Sequence, residues 1–570
     1  MAPWPLPQEY QQGSSTIWLS PDLQYQFRSV HVSVPEFTNC WSGQHVLQGC
    51  RTQPKIKKPP SSTEAILHSA FERLKGTIYS EQFVPFKFHP KNALFEPGGD
   101  EPRIYIKQII VEEQQCTDKR ENAEDISSEA YTLEITKDGL TSVKVVSYHG
   151  GLHAFNTFAQ LFYAHSCCKS EVYTPYAPVV IKDWPLFGHR GLNLDIARNR
   201  ISPKDVVRTL EIMSFTKFNH LHLHATDAQS WPLEIPTLPE LAAKGAYHQS
   251  QIWTTADLEE VQEYGVFRGV EVYVEVDMPG HTASIFHAYP DLITAYNKQP
   301  WGAYAQEPPS GQLRLNSPDV RQFLTTLLND LLPRISLHSS KFHIGGDELN
   351  TKAYKLDPTV KSSSKDVIRP LLQAFFDHVM SHAASHSLTP VVWEEALLEW
   401  DLNLPKNTII QTWRSHSSVA LVVAKGYRAL FGPCTHWYLD CGYGTWLDPD
   451  PANPDTPVKP PYLDWCSPYK SWRQVYSYNP WVDVPDGHKH LVLGGEVHLF
   501  GELTDSVTLD GMLWPRAAAA AEVLWKGKCE VNEDATRRLA ELRERLVAKG
   551  ISAGMVQMEW CLSSPGGCLL

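Results

Sequence analysis

Two adjacent carboxylates, Asp347 and Glu348, follow two glycines in the stretch FHIGGDELN. Glycine lets a chain turn sharply and approach other groups closely, which suits a loop that presents side chains to a ligand. A buried acid beside a second negative charge holds its proton more strongly than a free one, as a general acid must. In a turn between a strand and a helix, the same two residues would only stabilise the helix N-terminus. The pair therefore indicates either a catalytic site or a surface turn.

Other polar and aromatic residues follow short apolar runs along the chain. They are His189, Arg190, Asp195, His222, His224, Asp227, Asp277, His281, Trp393, Glu394, Trp413, Tyr438, Asp440 and Glu502. Aromatic rings stack on the C–H face of a sugar, and acids with an arginine bind hydroxyl groups. If one structure brings these side chains together, they suit a small polyhydroxylated ligand.

Alternating helical and extended patterns from Phe187 onward would position these residues. Ser202 and Pro203 predict the start of a helix, with Ser as the cap and Pro as the first residue. Strands are predicted at His220–His224, Val270–Val276, Lys341–Ile344, Pro390–Trp393, Thr408–Trp413, Arg428–Phe431 and Leu491–Leu493. Helices are predicted between them, and Leu513–Trp525 and Glu533–Lys549 end the chain as helices. The pattern predicts an α/β fold, a (β/α)8 barrel of the TIM type, in which loops after the strands carry the chemistry.

Residues 1–182 have a different rhythm and predict an N-terminal α+β domain, with the barrel at 183–570. Its extended runs are Tyr131–Ile135 and Ser142–Val146, and its helical patterns lie near Ser62–Leu74 and Leu152–Tyr163. The proline-rich segment Pro175–Pro185 is interpreted as the join. Within the barrel, Gly444–Val484 has no regular pattern, and a loop of that length in a compact domain is usually functional.

Composition narrows the choice of partner. The chain has 570 residues and a net charge of -13, which argues against nucleic acid or an anionic membrane surface. No apolar run is long enough to predict a membrane span. The start MAPWPLPQEY has no apolar region typical of a signal peptide, and no Asn-X-Ser/Thr sequon is present, so the compartment stays open.

Eleven cysteines match no zinc spacing. Two local pairings are predicted: Cys561 with Cys568, and Cys466 with either Cys434 or Cys441.

Nine motifs in order resemble glycoside hydrolase family 20, the β-N-acetylhexosaminidases. They are HRGLNLDIAR, LHLHATDAQSW, EVDMPGH, HIGGDE, VVWEE, QTW, WYLD, LGGEVHLFGE and LWPRAAAAAEVLW, from His189 to Trp525. The resemblance implies a retaining exo-enzyme that removes terminal β-linked GlcNAc, or GalNAc, from chitin fragments or glycans, with an α+β accessory domain before the barrel. It implies a carbohydrate substrate, no metal and no cofactor, and an extracellular or lysosome- or vacuole-like compartment. A homodimer stays open.

Catalytic roles follow from the resemblance, position by position. Glu348 would be the general acid, and the substrate's own 2-acetamido oxygen would attack the anomeric carbon to give an oxazolinium intermediate. Asp347 would orient the acetamido group and stabilise positive charge on its nitrogen, and Tyr438 would donate to its oxygen. Because the nucleophile comes from the sugar, the two carboxylates can be neighbours.

Binding roles are implied in the same way. Arg190 would hold the 3- and 4-hydroxyls, Glu502 would accept from the 4-hydroxyl, and Asp440 would lie near the 4- and 6-hydroxyls. Trp393 and Trp413 would wall the acetamido methyl and the sugar face. Asp227, Asp277 and His281 would form a polar ring supporting the loop that carries the acid.

The sequence departs from the family's pattern at two positions. Ala228 stands where a second acid is usual, and Phe500 stands where Trp is usual. Phenylalanine keeps an apolar wall but loses area and an N–H donor. These changes leave the preference between GlcNAc and GalNAc open, and they favour one alternative, a sugar-binding homologue that has lost catalysis.

Three further alternatives come from single motifs. His220, His222 and His224 alternate on a strand and so face one side, which resembles the metal site of barrel amidohydrolases, with His281 as a further ligand; otherwise they are structural histidines. GGDEL is similar to the GGDEF turn of nucleotide cyclases but lacks the phenylalanine. Arg190 could instead form an ion pair with Asp195.

Overall fold

The N-terminal part of the chain is a sheet covered by two helices. A computed structural model describes residues 1–32, 62–98, 103–116, 128–168, 170–451 and 458–570. The strands are β1 (Glu9–Val32), β2 (Tyr105–Cys116), β3 (Tyr131–Ile135), β4 (Thr141–Val145), β5 (Tyr163–Ala164) and β6 (Val172–Asp183), in the order β1-β2-β4-β3-β6-β5. Helices α1 (Thr63–Glu81) and α2 (Tyr148–Ala159) begin at the side-chain caps Ser62 and Ser147.

The segment Pro175–Pro185, interpreted from the sequence as the join, is mostly strand and not an irregular linker. It falls largely within β6, which pairs with β1 and β3. Proline removes an N–H from a ladder and is tolerated at irregular positions. The β1–β6 register shifts between Ser15 and Ile17, whose partners are Ala177 and Thr174, and Pro175 lies between these partners. The division of the chain at 182/183 stays a prediction.

The predicted (β/α)8 barrel is confirmed. Its strands are β7 (His189–Asp195), β8 (His220–His224), β9 (Glu271–Glu275), β12 (Lys341–His343), β13 (Thr389–Trp393), β14 (Ile409–Thr412), β15 (Arg428–Phe431) and β16 (Val492–Leu499). They are parallel and close in the order β12-β13-β14-β15-β16-β7-β8-β9. The loop after β9 carries a small antiparallel pair, β10 (Ile293–Thr294) and β11 (Gln312–Leu313).

Helices lie between the barrel strands and end the chain. They are α3 (Pro203–Phe215), α4 (Glu240–Gly245), α5 (Thr255–Val266), α6 (Pro318–Ile335), α7 (Lys365–Ser385), α8 (Glu395–Leu398), α9 (Ser417–Ala424), α10 (Trp472–Tyr476), α11 (Leu509–Leu513), α12 (Arg516–Lys526), α13 (Glu533–Ala548) and α14 (Glu559–Ser563). Ser202 caps α3 with a complete capping box. The helix predicted over Leu513–Trp525 begins instead at Arg516, because Pro515 has no N–H to continue α11.

The interior of the barrel is polar where branched apolar side chains are usual. Glu496 of β16 lies 2.6 Å from His189 and 3.1 Å from His222. Lower in the barrel, Lys341 bonds to His220 and Glu271. Buried charges need such partners, and these networks satisfy them.

Both predicted cysteine pairings are present, Cys561–Cys568 and Cys441–Cys466, so Cys441 rather than Cys434 is the partner. Among the helices in the described ranges, none combines the length and apolar character needed to cross a membrane.

Candidate active site

A cavity of about 560 Å³ opens at the carboxyl ends of the barrel strands. Ten of the predicted site residues line it: Asp277, His281, Asp347, Glu348, Trp393, Trp413, Tyr438, Asp440, Phe500 and Glu502. They come from the loops after β9, β12, β14, β15 and β16 and from the last residue of β13. The strand-end rule of the barrel therefore brings together residues that are up to 225 positions apart, from Asp277 to Glu502.

The loop after β12 presents the two acids through a tight backbone turn. Gly345 and Gly346 have φ of 78° and 98°, and Glu348 itself has φ of 52°. A Cβ on Gly345 would lie 1.8 Å from the Asp277 carboxylate, so only glycine fits. Residues with side chains rarely adopt a positive φ, and such backbone strain concentrates at functional sites. The alternative of a helix N-terminus is wrong, since the helical turn that follows begins only at Thr351.

A chain of contacts supports Glu348 from behind. The Nε2 atom of His281 lies 3.4 Å from Glu348 Oε2, and its Nδ1 lies 3.0 Å from Asp227 Oδ1. Burial opposes a charge on His281, but Asp227, Asp277 and Asp347 outweigh it and raise its pKa well above the ordinary value. Asp227 is completely buried and lies behind the cavity wall.

Asp347 lies in a negative environment. Burial and the charges of Asp277 and Glu348 raise the pKa of Asp347 well above its ordinary value, with His281 acting in the opposite direction. Burial likewise raises the pKa of Asp277 to about 7. Asp277 Oδ1 also accepts a hydrogen bond of 3.1 Å from Gly346 N and so fixes the acid loop. Within the described chain, Asp347 Oδ1 is buried without a hydrogen-bond partner, which leaves an acceptor for a ligand N–H.

Aromatic rings form one wall of the cavity. The rings of Trp413 and Tyr438 are stacked with centroids 6.2 Å apart. Trp393 is 1% exposed and donates its indole N–H to Glu275, with 2.8 Å between the atoms. The ring of Phe500 lies 5.5 Å from that of Tyr438. A tryptophan, the usual residue at this position, would extend the wall further because its indole is wider.

Arg190 is not in the cavity, and the expectation that it holds sugar hydroxyls is wrong. It is the second residue of β7 and therefore lies at the opposite end of the barrel. Its guanidinium is fully buried, bonds to Glu129 of the N-terminal part and donates to Lys217 O at 2.8 Å. Nor does it pair with Asp195. Its role is to join the N-terminal part to the base of the barrel.

Arg198 is the arginine that lines the cavity. It follows the end of β7, and Asp195 accepts hydrogen bonds from its backbone N and from its Nη1, at 3.1 and 2.8 Å. Its guanidinium also lies 2.9 Å from Asp227 Oδ2 and donates to Glu307 at 2.8 Å. The motif HRGLNLDIAR contains both arginines, and the strand-end rule would have selected Arg198.

Two further acids lie near Arg198. Burial raises the pKa of Asp440 to about 7 and that of Glu502 to about 8, although Arg198 lowers both. Asp440 accepts from Phe500 N at 3.2 Å. Acids that hold a proton near neutral pH can both donate to and accept from hydroxyl groups.

The long loop after β15 supplies cavity residues that sequence patterns missed. Thr445, Trp446, Leu447, Val458, Leu463, Asp464 and Trp465 line the outer part, and residues 452–457 lie outside the described chain. The disulfide Cys441–Cys466 holds Asp440 close to Trp465, because Asp440 directly precedes Cys441 and Trp465 directly precedes Cys466. Trp465 packs edge-on against Trp413 with centroids 5.8 Å apart.

The three histidines of β8 are bonded to carboxylates within the barrel. His222 lies 3.0 Å from Glu275 and His224 lies 2.8 Å from Asp227. These contacts favour the interpretation as structural histidines over the metal site of amidohydrolases. The atoms of His222, Glu275 and His343 are nevertheless close enough together to hold an ion.

Comparison with known proteins decides the family. The model of the catalytic domain of glycosyl hydrolase family 20 matches residues 187–528, and a model described as beta-acetyl hexosaminidase like matches residues 3–161. The chain belongs to glycoside hydrolase family 20. This family 20 chain is therefore a glycoside hydrolase of the β-hexosaminidase type.

Relatives of this family 20 enzyme cover nearly all of it. A beta-hexosaminidase of Arthroderma benhamiae is 45% identical, covering 100% of this chain and 97% of the relative. A chitooligosaccharidolytic beta-N-acetylglucosaminidase of Ostrinia furnacalis is 31% identical, over 85% of this chain and 82% of the relative. The structure of an exo beta-N-acetylglucosaminidase of Vibrio harveyi in complex with N-acetylglucosamine shares the fold, with a TM-score of 0.71 at 20% identity, over 97% of this chain and 78% of that one.

Proposed function

We propose that this protein is a retaining exo-β-N-acetylhexosaminidase that removes terminal β-linked GlcNAc by substrate-assisted catalysis. The observation that carries the proposal is the meeting of Asp347, Glu348 and Tyr438 in one cavity with Trp393 and Trp413. A GlcNAc residue needs an acid at its glycosidic oxygen and a site for its acetamido group. Both are available here, and no carboxylate is required on the far face of the sugar.

The acetamido group is assigned to the space beside Asp347. Its N–H would donate to Asp347 Oδ1, the buried acceptor described above. Its carbonyl oxygen would accept from the Tyr438 hydroxyl, because burial and Asp440 raise the pKa of Tyr438 well above its ordinary value and keep the phenol protonated. Trp393 and Trp413 would enclose the methyl group. These contacts would hold the acetamido oxygen against the anomeric carbon, which is where a nucleophile gains most from orientation.

Glu348 is assigned as the general acid that protonates the leaving oxygen. Its carboxylate is partly exposed, at 26%, whereas that of Asp347 is 16% exposed. The more accessible acid can reach the oxygen between two sugars, and the more buried one remains for the acetamido group. Positive charge that develops on the acetamido nitrogen favours the ionised form of Asp347, whose carboxylate then stabilises that charge.

Arg198, Asp440 and Glu502 are assigned to the hydroxyl groups of the terminal sugar. Their place at one end of the cavity supports recognition of the non-reducing end, hence exo action. The outer residues Trp446, Leu463 and Trp465 leave room for a leaving-group sugar, as in a chitooligosaccharide. Asp440 and Glu502 can hydrogen-bond to either orientation of the 4-hydroxyl, so GalNAc is a second candidate substrate.

Hydrolysis of chromogenic aryl glycosides tests this function. Aryl β-GlcNAc is expected to be cleaved, aryl β-glucoside is not, and a thiazoline analogue of the oxazolinium intermediate should inhibit tightly. Aryl β-GalNAc measured beside them gives the sugar preference. Equal turnover of the glucoside would overturn the proposal. Thiazoline binding without turnover would favour the sugar-binding alternative, with Ala228→Asp and Phe500→Trp as the repair to test.

A further inference from the structure

Glu275 is a buried carboxylate at the upper end of the barrel interior. The alternation in EVYVE of β9 puts Glu271, Tyr273 and Glu275 on the inward face of the strand. Glu275 has no exposed surface. A charge at such a position is costly unless every oxygen is paired, so its partners indicate what it stabilises.

One oxygen of Glu275 fixes the acetamido wall, which is the pair of tryptophans, Trp393 and Trp413, proposed to enclose the acetamido methyl group. Its Oε1 accepts the indole N–H of Trp393 at 2.8 Å. That N–H is the single polar group of the tryptophan side chain, so the bond selects one orientation of the ring in the cavity wall. The orientation of the wall then depends on a carboxylate that lies outside the cavity.

The other oxygen connects to the acid. Glu275 Oε2 pairs with Nδ1 of His224, and Nε2 of His224 lies 2.8 Å from Asp227 Oδ2. Asp227 in turn holds His281, which lies 3.4 Å from Glu348. Burial disfavours a charge on His224, but Glu275 and Asp227 outweigh it and raise its pKa well above the ordinary value. A charged imidazole donates from both nitrogens, as these two carboxylates require.

We propose that Glu275 is a positioning residue that fixes the acetamido wall and the general acid relative to one another. The inference rests on the proposed function. The carboxylate accepts hydrogen bonds from two donors, Trp393 at Oε1 and His224 at Oε2. The rings of His343 and His222 also lie against these oxygens, at 2.9 and 3.0 Å. Glutamine has almost the same shape but one acceptor and one NH₂ group, so Glu275→Gln can satisfy only one of Trp393 and His224 and turns a donor toward the other.

A matched control exists on the same strand. Glu271 is also buried and faces inward, and it accepts from Ser340 N at 2.7 Å and from Lys341 Nζ at 3.1 Å. Neither partner lines the cavity. Glu271→Gln therefore has a comparable cost in stability without reaching the site, and thermal unfolding of both variants shows whether the costs match.

Kinetics with a series of leaving groups separate positioning from stability. The substrates are phenyl, 4-nitrophenyl and 2,4-dinitrophenyl β-GlcNAc. The phenyl substrate depends most on a proton from the acid, because phenol is the weakest acid of the three leaving groups. For Glu275→Gln we expect kcat/KM to fall about 100-fold with the phenyl substrate, as for a misplaced catalytic group. The loss should be much smaller with the dinitrophenyl substrate, and thiazoline binding should weaken. For Glu271→Gln we expect neither change.

The outcomes separate this inference from the proposed function. A wild-type enzyme without turnover of aryl β-GlcNAc would contradict the proposed function. If the wild type is active, equal loss with all three leaving groups and unchanged thiazoline binding in Glu275→Gln would overturn the inference alone. If Glu275→Gln gives no soluble protein, Glu275→Asp takes its place, since it keeps both acceptors but withdraws them by one methylene. For Glu275→Asp we expect a smaller loss of the same kind, greater with the phenyl than with the dinitrophenyl substrate, and a smaller weakening of thiazoline binding. An equal loss with all three substrates and unchanged thiazoline binding would again contradict the inference.

Discussion

The Nε2 atom of His281 lies 3.4 Å from Oε2 of Glu348, and the other ring nitrogen is held by Asp227. Glu348 therefore approaches the substrate from a loop whose backbone is strained, and its side chain is supported by His281. This arrangement makes the acid role of Glu348 testable without disturbing the fold, because its carboxylate reaches the cavity surface.

Glu348→Gln keeps the shape of the side chain and removes the proton. We expect kcat with aryl β-GlcNAc to fall about 10²- to 10⁴-fold, the usual contribution of a general acid, while thiazoline binding remains. Steady-state rates and inhibitor titration measure the two effects. A variant that turns over at nearly the normal rate would contradict the assignment.

Asp347→Asn tests the acetamido contact. Asparagine can still accept the acetamido N–H, but it cannot stabilise positive charge on that nitrogen, so kcat should fall more than substrate binding does. The comparison uses kcat and KM for aryl β-GlcNAc. An unchanged kcat would remove the proposed role of Asp347.

Arg198 and Arg190 should differ in their kinetic phenotypes, although each pairs with buried carboxylates and its loss costs stability. Arg198→Met is expected to lower kcat/KM through lost contacts to hydroxyl groups. Arg190→Met leaves Glu129 buried without its main partner, which costs about 3–5 kcal/mol of unfolding free energy. The remaining folded Arg190 variant should have near-normal kcat/KM, because this residue lies far from the cavity. Kinetics and urea denaturation of both variants check the pair, and a kinetic defect in the Arg190 variant alone would contradict the position of Arg190 outside the cavity.

Asp440 should make stability depend on pH. Burial raises its pKa to about 7, against 3.8 for the ordinary group, despite the hydrogen bond from Phe500 N and the charges of Arg516 and Arg198. The folded protein thus holds this proton more tightly than the unfolded chain. The stabilising contribution is complete below about pH 4 and is lost as the pH rises through 7. Relative to wild type, Asp440→Asn should therefore gain stability as the pH rises from 5 to 8, measured by thermal unfolding. If the Tm values of the two proteins change in parallel with pH, this titration is excluded.

Chelation tests the metal alternative suggested by the histidines of β8. Their partners in the barrel are carboxylates, so prolonged dialysis against EDTA should leave kcat with aryl β-GlcNAc unchanged. The control is a sample dialysed in parallel without chelator. Loss of activity that zinc restores would instead place a metal in the reaction.

The sequence predicts the barrel well because its strands alternate with helices that have clear caps, such as Ser202 before Pro203. It also predicts which residues line the cavity, because a residue that follows the carboxyl end of a strand lies at that end of the barrel. It fails for Arg190 and Arg198, which occur in one motif but lie at opposite ends of β7, Arg190 near its start and Arg198 after its end. It also fails for Trp465 and Glu307, since irregular loops have no period that sets their direction.

In the proposed mechanism, the acetamido oxygen of the substrate is the nucleophile. Its role can be measured with a series of 4-nitrophenyl glycosides bearing acetyl, fluoroacetyl, difluoroacetyl and trifluoroacetyl groups on the 2-amino nitrogen. Each fluorine withdraws electrons from that oxygen, so kcat/KM is expected to fall steeply along the series. Rates that stay level across the series would contradict this mechanism and require a nucleophile from the protein or from water.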